Sequence, residues 1–99
     1  MSGLEPFRLR LDELDDQIVR LLGQRFATCR EIAMYKRANE IPMMQPNRVV
    51  EVRERYLSRG SEADVPGDFT AALFDLLIGA TCKMEDELIH APQAAQRAA

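Results

Sequence analysis

Three cations and one acid fall on a line that is otherwise apolar. Taken at alternating steps of four and three, the line runs Leu4, Arg8, Leu11, Asp15, Ile18, Leu22, Arg25, Cys29, Ile32, Lys36, which is one face of a helix. For any single Lys or Arg on such a face, a stem covering apolar surface with its charged head in water is the simpler account. Arg25 fits that account worst. Leu21, Leu22, Phe26, Cys29 and Ile32 surround it, and burying an unpaired guanidinium costs several kcal/mol. An anion should meet it there. Asp15 is ten residues away, about 15 Å along a helix axis, and cannot be the whole answer. Lys36, eleven residues the other way, converges with Arg25 when both long side chains lean toward a point between them.

Other groups point the same way. The segment "IPMMQPNRVV", residues 41–50, carries two adjacent methionines where a plain connector would use Gly, Ser, Asn or Asp. It then sets Arg48 at the mouth of the next helix, free to close over the same point. Thr81 and Glu85, four apart among Leu77, Met84 and Leu88, share a helix face, although alone they read equally well as a surface pair. Together these features predict a small, mostly apolar pocket with convergent cations. Such a pocket suits a compact dicarboxylate, because arginine matches carboxylate geometry with paired N–H donors. The chain has no Ser-His-Asp or Cys-His pattern, no metal-ligand spacing and no phosphate-cradling Gly loop. His90, the sole histidine, reads as solvated. A reaction needing no nucleophile, no cofactor and no metal fits best.

The elements that must position these residues are helices. From Leu4 to about Asn39 the only glycine is Gly23 and no proline follows Pro6, so the pattern predicts one long helix. A second is predicted from near Pro46, favoured at a first helical position, to a stop at Gly60. "SEADVPGD" reads as a loop, with Asp68 as N-cap of a third helix carrying Phe69, Leu73, Leu76, Leu77, Ala80, Met84 and Leu88. The expected fold is all-α: one domain over residues 1–90, then a frayed tail, "APQAAQRAA", over 91–99. A helix of about 36 residues is roughly 54 Å long, whereas a compact domain of about 100 residues is roughly 35 Å across. The first helix therefore overhangs its own domain, with its apolar stripe continuing along the overhang. A second copy of the chain, antiparallel about a two-fold axis, is the expected cover. Arg8 lies about 25 Å from Arg25 in its own helix, but an antiparallel homodimer carries Arg8 of one chain to Arg25 of the other.

Composition narrows the classes. Ninety-nine residues, 46% hydrophobic and 29% charged, describe an ordinary single domain. A net charge of -3 and a pI near 5.1 argue against nucleic acid. Cys29 and Cys82, 53 residues apart without a C-x-x-C motif, read as small buried thiols in a reducing compartment. No apolar run reaches the roughly 18 residues of a membrane span, and the opening "MSGLEPFRLR" has no signal-peptide core. The expectation is a cytoplasmic protein with no membrane partner.

The run "RLRLDELDDQIVRLLGQRFATCREIAMYK", then Pro42, then Arg48, then "LFDLLIGATCKMEDELI" resembles the all-helical chorismate mutases, from Arg8 to Ile89. That resemblance implies an intertwined three-helix homodimer converting chorismate to prephenate. It implies that Arg8 of the partner chain, Arg25 and Arg48 hold the dianionic substrate with help from Thr81, while Lys36 and Glu85 face the ether oxygen. A Claisen rearrangement is unimolecular, so an enzyme need only hold the reactive conformer and stabilise charge on the breaking bond. Glu85 stands where many relatives of this kind carry glutamine. It must be protonated to donate, which burial favours, and activity is then expected to fall as pH rises. Two departures concern the C4 substituent: the position after Arg48, ordinarily a carboxylate in that family, is Val49, and the often acidic position three residues before Arg48 is Gln45. "PMMQPNRV" with "TCKMEDELI" is similar to the 4-amino-4-deoxychorismate mutases of antibiotic pathways leading to p-aminophenylalanine, which places Met44 in a pocket lid. Plain chorismate mutase, isochorismate-pyruvate lyase and a non-catalytic helical interaction module remain alternatives.

Overall fold

The computed structural model describes residues 3–92, which form three helices and, among those residues, no strand. Helix α1 spans Glu5–Ala38, α2 Pro46–Glu62 and α3 Gly67–Ile89. The all-α expectation holds. The tail expected over 91–99 lies outside the described residues from 93 onward; Ala91 and Pro92 follow the end of α3 in non-helical conformation.

Helix α1 has good chemistry at both ends. Pro6 sits in the first turn, where an N–H would lack an intrahelical partner anyway. Glu5 lies at the positive end of the helix dipole, and Lys36 and Arg37 at the negative end. At 34 residues the helix is about 51 Å long, and the described chain measures 57 × 32 × 15 Å. Its radius of gyration is 17.5 Å, against about 13 Å for a compact chain of this length. The predicted overhang is therefore real. Every residue of α1 from Glu5 to Leu21 is exposed, Leu11, Leu14 and Ile18 among them at over half their free surface.

Packing begins only at Leu22. From there α1 lies against α3, and α2 lies against α3 as well, but α1 and α2 do not pack on each other. Helix α3 is thus the shared partner. Its buried residues Thr70, Phe74, Leu77, Thr81 and Glu85 recur every three or four positions along one line. Ala33 of α1 is fully buried, and Phe74 keeps 1% of its surface and takes the ring of Tyr56 edge-on at a centroid distance of 5.1 Å. Below Leu77 the line turns polar, and there α1 and α2 leave a wedge between them.

Both inter-helix turns use a left-handed residue just past the C-cap. After α1 the Ile41 N–H donates to the Lys36 carbonyl at 2.9 Å, with Glu40 at φ 54. After α2 the Val65 N–H donates to the Gly60 carbonyl at 2.8 Å, with Asp64 at φ 62. These are the six-to-one bonds of a Schellman stop. Two expectations need correction. Gly60 does not end α2, which continues to Glu62; the stop is made by Asp64. Asp68 is not the N-cap of α3 either. Pro66 holds that position, and Asp68 sits in the first turn, its Oδ1 accepting the Phe69 N–H at 2.9 Å.

Gly60 has a different reason to be glycine. A Cβ there would stand 2.6 Å from Oγ1 of Thr70, a buried, β-branched side chain whose hydroxyl donates to the Pro66 carbonyl at 3.1 Å. Helix propensity alone favours Gly60→Ala by about 1 kcal/mol. Overpacking at this contact should reverse the sign, and the expected outcome is a loss of about 1–3 kcal/mol, read as a lower urea midpoint. A stabilised variant would show that α2 and α3 are not so close here.

Candidate active site

The wedge is a cavity of about 500 Å³. One face of α1 supplies Arg25, Cys29, Ile32 and Lys36, and one face of α3 supplies Ile78, Thr81, Cys82 and Glu85. The α1–α2 turn brings Met43, Met44 and Gln45, and α2 closes the far wall with Arg48, Val49, Val52, Arg55 and Tyr56. Four cations and one acid in one hollow, within a chain of net charge -3, make a site for an anion.

Lys36 is the best-anchored of these cations. Its Nζ donates to the Met43 carbonyl at 2.6 Å and to Oε1 of Glu85 at 3.1 Å. The side chains keep only 15% and 11% of their surface. Burying such a pair is sustainable only when hydrogen bonds replace the lost water, and the loop carbonyl provides one. Arg25 has no carboxylate within ion-pair distance among the described residues; its one close polar contact is a weak one, Nη1 to the Cys29 sulfur at 3.9 Å. Most of the five N–H donors of this part-buried guanidinium thus have no acceptor among the described residues. Arg48 stands at the rim, about two-thirds exposed, with Glu51 at 3.6 Å, an exposed pair that contributes little.

The remaining expected residues are placed as follows. The Thr81 hydroxyl, 2% exposed, donates back to the Leu77 carbonyl of its own helix at 2.8 Å, so in this arrangement it offers the cavity an acceptor. Met44, Gln45 and Val49 are all in the wall. Gln45 is the N-cap of α2 through its backbone, while its Nε2 donates to the Pro42 carbonyl at 3.2 Å. That bond uses one of the two amide N–H donors, so Oε1 and the second N–H remain for a ligand. Arg8 is the exception: it lies on the exposed overhang and not in this cavity. His90 is exposed, with Asp86 Oδ1 3.3 Å away.

Sequence reasoning missed part of the wall. Ile78 and Cys82 flank Thr81 by one turn or less, and Val52, Arg55 and Tyr56 continue the helical spacing from Arg48; that periodicity was the available signal. Met43 contributes its backbone carbonyl, which side-chain patterns do not report. The two thiols are corrected from core residues to cavity wall, each partly exposed and unbridged. Burial pushes both above the ordinary thiol range; Arg25 and Lys36 oppose the shift at Cys29, and Lys36 opposes it at Cys82. Among the described residues no cluster of metal-ligating side chains occurs, and no helix is long and apolar enough to cross a membrane.

A family model described as chorismate mutase type II matches residues 7–86. The chain is 34% identical over 86 residues to a 4-amino-4-deoxychorismate mutase of Streptomyces pristinaespiralis, covering 87% of this chain and 67% of that protein. It is 32% identical to a 4-amino-4-deoxychorismate mutase of Streptomyces venezuelae, covering 86% and 82% of the two chains. A chorismate mutase of Methanocaldococcus jannaschii is 26% identical over 79% of each. No solved structure matches.

Because the thiolate is the nucleophile, the raised cysteines should be alkylated slowly. Iodoacetamide at pH 8 is expected to modify Cys29 and Cys82 more slowly than free cysteine, with the rate climbing as pH rises through the alkaline range. Mass-resolved labelling checks this; labelling as fast as free cysteine would contradict the burial.

Proposed function

The chain belongs to the chorismate mutase type II family and is a mutase of it, and from that premise we propose that it rearranges 4-amino-4-deoxychorismate to 4-amino-4-deoxyprephenate as an antiparallel homodimer. The observation that carries the reading is the meeting of Lys36 and Glu85 at 3.1 Å inside a cavity whose other charged groups are arginines. Arg25 and Arg48 take the substrate carboxylates by paired N–H bonds. Lys36 uses two of its three donors on Met43 and Glu85 and turns the third to the ether oxygen, where negative charge builds as the bond breaks. Glu85 accepts from Lys36 and so holds the ammonium beside that oxygen. No nucleophile is required, because a unimolecular rearrangement needs only its reactive conformer held and its developing charge stabilised.

The C4 substituent is read by Gln45 and Val49. Val49 offers no charge, and the Gln45 side chain, held by its bond to the Pro42 carbonyl, offers Oε1 as a neutral acceptor to an N–H donor. The names of the two Streptomyces relatives agree with an amino substrate. The archaeal relative keeps chorismate itself as the alternative. An amino product is suited to pathways that build p-aminophenylalanine-derived antibiotics.

The overhang supports the homodimer. Apolar side chains left at over half exposure on a helix longer than its own domain call for cover, and Arg8 lies on the same stripe. An antiparallel pairing that brings the partner's Arg8 level with Arg25 puts the two-fold axis between Asp16 and Gln17, with Leu14 and Val19 on either side. The stripe is then buried against itself and each cavity gains a fifth cation.

Two measurements test this. With purified protein, kcat/KM is expected to be at least about tenfold higher for 4-amino-4-deoxychorismate than for chorismate; faster prephenate formation would reassign the substrate, pyruvate release from isochorismate would reassign the reaction, and no turnover would leave an interaction module. Arg8→Ala and Lys36→Ala homodimers should both be nearly inactive. Because one site of each mixed dimer keeps both residues, co-refolding them should restore about a quarter of wild-type activity. Mixtures no more active than their parents would place Arg8 outside the site.

A further inference from the structure

Arg37, next to the catalytic lysine, has no place in the cavity wall, yet it makes the densest set of contacts at this end of the molecule. Its Nη1 shares its two N–H donors among three carbonyls, those of Leu88 and Ile89 at 3.1 Å each and that of Ala91. Ile89 is the last residue of α3. The final carbonyls of a helix have no intrahelical donors and carry the negative end of its dipole, and α3 has no basic residue of its own in the last turn. Arg37 supplies that missing cation from α1.

Consecutive residues of α1 therefore grip α3 at two levels. Lys36 holds Glu85, and Arg37 holds the helix end one turn further on, about 5–6 Å along the axis. A single ion pair fixes the distance between two helices but leaves each able to roll about its axis. A second attachment one turn away removes that freedom. We propose that Arg37 is a positioning residue for the reaction: by pinning the end of α3 it sets the roll of the last turn, so that the Glu85 carboxyl holds the Lys36 ammonium beside the substrate's ether oxygen. This rests on the reading of Lys36 and Glu85 given above. Arginine suits the task because one planar guanidinium reaches several carbonyls at once.

Arg37→Ala should lower kcat about 10–100-fold with KM within about twofold, since misplacement of a reacting group by about 1 Å costs that much. Arg37→Lys, which keeps the charge and part of the carbonyl contact, should recover part of the loss. It also serves as the measured variant should the alanine form not fold. The discriminating measurement is a double-mutant cycle with Glu85→Ala. If Arg37 acts through Glu85, removing Arg37 from the Glu85→Ala enzyme should cost less than about twofold. Independent, multiplying losses, or an unchanged kcat in Arg37→Ala, would overturn the proposal while wild-type turnover kept the functional reading intact. A wild-type enzyme that turned over none of the three substrates would remove both.

Discussion

The structure is organised around one partly buried ammonium. Lys36 sits at the end of a long helix, and its charge is kept out of water by the Met43 carbonyl and the Glu85 carboxylate. An isolated charge so placed would cost several kcal/mol, so the loop after α1 and the last turn of α3 must come to it together. That requirement joins three parts of the chain: the end of α1, the turn that follows and the end of α3. The Glu40 left-handed stop serves the same end, because it reverses the chain within a few residues and brings Met43 back over Lys36.

The cavity is a consequence of how the helices share one partner. Both α1 and α2 pack on α3 but not on each other, so a space between them is unavoidable once their ends diverge. Its walls take their character from helical periodicity. Faces that bury Phe74 and Leu77 higher up present Thr81 and Glu85 lower down, and the α1 face beside them carries Arg25 and Lys36. A positive hollow in an acidic chain results without any local excess of lysine or arginine in the sequence.

Half of α1 has no such partner within the chain. Phe7, Leu11, Leu14, Ile18 and Leu21 remain exposed, an apolar surface larger than single scattered side chains need explain. The same exposed stripe carries Arg8, well away from the cavity of its own chain, as the helical distance between Arg8 and Arg25 predicts.

Much of this was legible from residue types and spacing, because helices impose a period that side chains must obey. Three helices, the overhang and the shared α1 face of Arg25 and Lys36 follow from steps of three and four along the chain, whereas the grouping of Arg48, Thr81 and Glu85 with them was expected from residue types and from the family resemblance. Periodicity is local, however, and distance between elements is not. That Gly60 is there to admit Thr70, that Cys29 and Cys82 line a wall instead of a core, and that Arg55 and Tyr56 join the site were settled by how α1 and α2 each approach α3. The Met43 carbonyl and the Arg37 grip on α3 depend on backbone groups, which every residue carries alike and which no side-chain pattern records. The sequence by itself determined which faces would be apolar and which charges would share them; only the tertiary structure decided which carbonyls and neighbours those charges meet, because hydrogen bonds act over about 3 Å and a sequence does not specify separations that small between distant segments.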